Sequence, residues 1–245
     1  MFFATLSKAS LAILVASLIL VLTNQTEAHS YADCIDWKFK STKSNSWSDK
    51  NGRCEGYARR FPAGVKAFAK LDSDDPNRHY QQSHKKPSPD DSLACSDGKQ
   101  GEEPGADETM GNPISKAYEG TDKKGRKYGK QTSSQPGGQL CIRWPAKNHA
   151  VKDEVNNPVF IALSKKANSL KDPSQKEFNS NVIKKLNYKN CTDKGSDEDI
   201  WPCGGCFTLP TNLTTGNYVM QWRWELNPNE WYTSCADINI KPKGK

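Results

Sequence analysis

The sequence predicts an all-β fold, a β-sandwich with long disulfide-pinned loops and short helices. Three observations carry this. Several short segments alternate apolar and polar residues, the period of a half-buried strand. Long connections rich in Pro, Gly and Ser separate them. Eight cysteines, an even number, all follow an N-terminal apolar leader, which implies a disulfide framework formed in an oxidising compartment.

The elements follow in chain order. Lys8, the apolar run Leu11–Leu22 and the closing Thr26-Glu27-Ala28 read as a secretory signal peptide over residues 1–28. The run is short for a membrane span, so an uncleaved anchor is the lesser alternative. Cleavage would leave residues 29–245 as one secreted, extracellular domain beginning at His29, without a membrane segment and expected to be a monomer. Loss of Lys8 and Glu27 leaves the net charge of +7 unchanged. A short helix is expected over Ala63–Leu71. Residues 72–138 are crowded with Pro, Gly, Ser, Asp and Lys and read as long loops pinned by Cys95.

Leu140, Ile142 and Trp144 alternate with Cys141 and Arg143, which predicts a strand that Pro145 ends. His149 follows on a loop. Val159–Leu163 reads as a second strand, and Glu177–Leu186 as either helix or strand. Tyr218, Met220, Trp222 and Trp224 share one face of a third strand. Asn227-Pro228-Asn229 makes a turn into a last strand, "WYTSCADINIK". A basic tail occupies 241–245. Cys203-Gly-Gly-Cys206 reads as two structural cysteines rather than a redox pair or half a zinc site. The cysteine pairing is left open. Asn190 and Asn212 head two glycosylation sequons.

His29 is one of four histidines and follows the cleavage site directly. As a terminal residue it would offer its α-amine and its imidazole to one metal ion. The imidazole of His149 would complete a planar three-nitrogen set, an arrangement that favours copper among first-row metals. Tyr232 would stand in an axial position. Glu230, two residues away on the same strand, would share its face. His79 and His84 lie in a polar stretch and read as surface residues.

His29 after the leader, "RWPAKNHA" and "YVMQWRWELNPNEWYTSCADINI" together resemble the lytic polysaccharide monooxygenases. "HSYADCIDWKF" and "CEGYARRFP" are most similar to the oomycete, pectin-active members of auxiliary-activity family seventeen. The resemblance implies an immunoglobulin-like sandwich and one copper ion held by His29 and His149, with Tyr232 axial and Glu230 beside the oxygen species. It also implies an external reductant, dioxygen or hydrogen peroxide as co-substrate, and oxidative cleavage of homogalacturonan. Net charge supports an anionic polymer, because Lys38, "KKGRKYGK" at 123–130 and their neighbours would attract a polyuronate. Tyr31, Lys38, Lys124, Arg126 and Lys127 are therefore candidate substrate contacts, and Trp37 and Trp47 candidate stacking residues. No nucleic-acid module is present in the sequence. The alternatives are the same chemistry on chitin or cellulose, or a non-catalytic copper-binding or wall-binding protein.

Overall fold

The structure, a computed structural model, describes residues 30–40, 46–49, 51–63, 82–84, 93–95, 117–122, 124–147, 150, 157–197 and 200–243. Ten strands and one short helix lie within them. The strands are β1 (Trp37–Lys38), β2 (Arg53–Cys54), β3 (Gln82–His84), β4 (Thr132–Ser134) and β5 (Gln139–Pro145). They continue as β6 (Val159–Leu163), β7 (Val182–Leu186), β8 (Pro202–Thr208), β9 (Gly216–Asn227) and β10 (Glu230–Ile240). The helix, α1, is Gln175–Asn179.

The large sheet runs β3-β10-β9-β6-β7, with β4 pairing β10 in parallel. The long hairpin β9–β10 is its spine, in register from Glu225 opposite Trp231 to Gly216 opposite Ile240, with a shift between Glu230 and Trp231 next to the turn. The turn works because Asn229 accepts a positive φ of 65°. Strands β5 and β8 form a second, two-stranded layer, and β1 and β2 a small ribbon.

The main core lies between the two layers. Leu140, Ile142 and Trp144 from β5 meet Ile161 from β6 and Met220, Trp222 and Trp224 from β9. The alternation predicted for β5 and β9 is thus the alternation observed, and the all-β sandwich is the fold. Trp144, Trp222 and Trp224 are completely buried. Each large side chain so buried contributes roughly 2–3 kcal/mol of transfer free energy. The opposite face of the large sheet is also covered. Ala162, Val219 and Cys235 pack there against Phe178 of α1 and against Ala94 and Cys95.

The ambiguous stretch Glu177–Leu186 resolves into both readings. Ser174 caps α1 by accepting a hydrogen bond from the Glu177 N–H, and the helix ends at Ser180. The β-branched Val182 and Ile183 then open β7. The disulfides are Cys34–Cys54, Cys95–Cys235, Cys141–Cys206 and Cys191–Cys203. Cys203 and Cys206 therefore bond elsewhere, as expected of structural cysteines. They lie on one extended strand, where three residues span about 10 Å, beyond the reach of a disulfide. Gly204 between them is required, since a Cβ there would stand 2.6 Å from the Trp47 ring.

Cys95 does pin the stretch 72–138, by its bond to β10. That stretch also contributes strands β3 and β4. The helix expected over Ala63–Leu71 falls almost wholly outside the described residues, as does His79. No helix of the described residues is long and apolar enough to cross a membrane.

Candidate metal centre

His29 and His149 both lie outside the described residues. Their chain neighbours are described, and they converge. Ser30, which follows His29, is fully buried. Ala146, three residues before His149, is fully buried as well. The hydroxyl of Tyr188 joins them, lying 2.9 Å from Ser30 Oγ and 2.9 Å from the Ala146 carbonyl oxygen. A carbonyl only accepts, so Tyr188 donates its single proton to Ala146 and the Ser30 hydroxyl donates to Tyr188. Burial pushes the Tyr188 phenol well above its ordinary range, which keeps that donor protonated.

The segment after Ser30 is fixed on both layers. The Ala32 N–H donates to Ser234 Oγ on β10, 3.1 Å away. Cys34 and Arg143 exchange backbone bonds, which ties the segment to β5. The Asp33 carboxylate lies 3.3 Å from the Arg143 guanidinium, and that guanidinium covers the Trp37 ring at 3.7 Å.

Tyr232 enters from β10 and is buried, 2% exposed. Its hydroxyl donates to Glu230 Oε1 at 2.8 Å, and Asn227 Nδ2 donates to Glu230 Oε2 at 2.7 Å. The two residues predicted to share a face thus touch. The Tyr232 ring lies 6.3 Å from Trp224, and Trp224 stacks on Tyr188 at 3.8 Å with ring planes 6° apart. Tyr188 therefore links the Ser30–Ala146 junction to the Tyr232 side by direct packing. Sequence reasoning missed it. Its signal was an aromatic two residues past a strand end, in "KLNYKNC".

The remaining candidates divide. Tyr31 is fully buried, with its ring 6.0 Å from Phe61, so it offers no surface to a sugar. Trp37 and Trp47 are core residues too, 6% and 4% exposed. Each joins the small cluster around the Cys34 and Cys141 disulfides. Lys38 is exposed and pairs with Asp36 at 2.7 Å. Lys124 and Lys127 are exposed. Arg126 is half-buried and paired with Asp122, whose carboxylate also takes the Lys124 and Arg126 backbone N–H groups. Asn190 and Asn212 are both exposed, but Asn190 Nδ2 donates to the Gly204 carbonyl. His84 lies on β3, opposite Trp231 of β10. Among the described residues no cluster of three His, Cys, Asp or Glu side chains is placed to hold a metal.

A scan against protein-family models finds no match, and a search of curated proteins finds no similar sequence. Solved structures are similar at low identity. A lytic polysaccharide monooxygenase from Thermobia domestica, in the Cu(I) state, is 17% identical, covering 60% of this chain and 75% of its own, with a TM-score of 0.36. One from Streptomyces lividans is 15% identical, covering 53% and 70%, with a TM-score of 0.33. A chitin-binding domain from Burkholderia pseudomallei is 18% identical, covering 46% of this chain and 57% of its own, with a TM-score of 0.33.

Proposed function

We propose that the mature chain is a secreted copper-dependent polysaccharide monooxygenase acting on homogalacturonan. One observation carries the reading. Ser30, next to His29, and Ala146, three residues before His149, are joined by the buried hydroxyl of Tyr188, whose ring also stacks toward the Tyr232–Glu230 pair. The α-amine and imidazole of His29 and the imidazole of His149 would hold one copper ion, with Tyr232 beside it. Three nitrogen donors suit copper better than the other first-row metals.

When bound, copper would supply one-electron chemistry, taking an electron from an external reductant and activating dioxygen or hydrogen peroxide to cleave the polymer. The chain's own residues would do the rest. Tyr188 holds Ser30 and Ala146 together through its hydroxyl. Tyr232 and Asn227 orient the Glu230 carboxylate from two sides, which leaves it aimed as a hydrogen-bond acceptor. The net charge of +7 favours a polyanionic substrate over neutral chitin or cellulose.

The test is copper binding by protein processed to a free His29 terminus. Calorimetry and electron paramagnetic resonance should report one tight site with nitrogen ligands. His149→Ala should lower the affinity by at least a hundredfold. Unchanged affinity in that variant would remove the assignment.

A further inference from the structure

The outer face of the large sheet carries a cavity of about 230 Å³. Phe160, Phe178, Val182 and Trp231 form its apolar walls, with Arg223 and Asn179 as polar lining. Trp231 and Tyr232 are adjacent on β10, so their side chains leave opposite faces of the sheet. The cavity is therefore separate from the candidate metal centre.

Three features describe what it would hold. The first is size. An apolar cavity of about 150 Å³ is enough for a benzene ring, so this one has room for a ring and a small substituent. The second is charge. Arg223 is 3% exposed, with its guanidinium 3.9 Å over the Trp231 ring and oriented by a 3.0 Å bond from Nη1 to Asn179 Oδ1. Lys185 Nζ stands 5.1 Å from the centre of the Phe160 ring. The third is an unmet donor. The Trp231 indole N–H is buried and has no hydrogen-bond acceptor among the described residues. Such a donor is costly to leave unmet, and a ligand acceptor would satisfy it.

From these features we infer a binding site for a small aromatic carboxylate. Its ring would lie between Phe160, Phe178 and Val182, and its carboxylate oxygens would take the Trp231 N–H and face Arg223. A sugar acid has the charge but not the body, because its ring hydroxyls would be buried against apolar walls without partners. The inference does not depend on the copper assignment.

The probe is 4-hydroxybenzoate, titrated into the full mature protein by calorimetry and ligand-observed NMR. The expected result is saturable one-to-one binding with a Kd below about 1 mM. The neutral 4-hydroxybenzamide should bind about tenfold more weakly, and galacturonate more weakly still. Trp231→Phe keeps the ring and removes the donor, and should weaken binding about tenfold. Val182→Trp fills the cavity without touching the donor and should abolish binding, with near-ultraviolet circular dichroism confirming the fold of each variant. Absence of saturable binding would overturn the inference. So would a Kd indifferent to both folded variants, or a preference for galacturonate.

Discussion

At the residue scale the account turns on two tyrosines and their partners. Tyr188→Phe would remove one hydroxyl and leave Ser30 Oγ and the Ala146 carbonyl buried without their partner. The expected cost is about 1–3 kcal/mol in denaturant unfolding. Copper affinity should fall with it, because both histidine segments lose their common tether. Glu230→Gln keeps the shape and removes the charge. Copper binding should hold, while turnover on polysaccharide should drop by roughly a hundredfold. Protons compete for the same nitrogens as copper. A terminal amine titrates near 7.7–8 and an imidazole near 6.5, so affinity should fall about tenfold per pH unit just below 8 and more steeply below 6.5. Asp33 provides a separate pH signature. Burial, partly offset by Arg143, raises its carboxyl above the ordinary value. The folded state then binds the proton more tightly than the unfolded one. Its contribution to stability is fullest below the usual carboxylate value and declines as pH rises from there toward the raised folded value. Asp33→Asn should flatten that decline in unfolding titrations.

At the scale of elements, the chain segments with little regular structure are held by buried groups rather than by ladders. Arg59 is the main example, 1% exposed and bonded to both Asp172 and Asp237 at 2.7 Å. Tyr118 adds a bond to Asp237. One guanidinium thus joins the segment before 72–138, the loop before α1 and strand β10. Asp237→Ala should cost about 1–3 kcal/mol, because it removes the carboxylate that accepts from buried Arg59 and Tyr118 while Asp172 still balances the guanidinium. Removing Cys95–Cys235, which closes 140 residues, should cost more than removing Cys191–Cys203, which closes 12. Strands β5 and β9 were legible in the sequence because their large apolar residues alternate at period two, β6 because it is a short apolar run, and β10 because a turn precedes it. The basic run 123–130 and the three-residue strands β3 and β4 were not. Local pattern is too short there: pairing to β10 decides β3 and β4, and isolated bridges from Lys127 to Thr121 and from Tyr128 to Pro62 set the basic run. Tyr31 was misread for a related reason. A tyrosine in a polar, cysteine-rich opening carries no periodicity to show which way it faces.

At the scale of the whole molecule, a net charge of +7 sets a long-range preference for polyanions. It is partly spent locally, since Lys38, Arg126 and Lys130 pair with Asp36, Asp122 and Glu55. Binding to de-esterified homogalacturonan should therefore weaken markedly between low and physiological salt, while binding to neutral polymers should change little. Sedimentation or retention on each immobilised polymer would measure this. The candidate centre was legible only in part. His29, His149, Glu230 and Tyr232 are named by the sequence, but the tether through Tyr188 comes from tertiary packing between residues 158 positions apart.

The central claim is tested most directly by the products. Copper-loaded protein with a free His29 terminus would be incubated with de-esterified homogalacturonan, chitin and cellulose, with and without ascorbate. Soluble products would be read by mass spectrometry. The account predicts oxidised oligogalacturonides that appear only with reductant. With copper confirmed in place, the absence of oxidised product from all three polymers would contradict it.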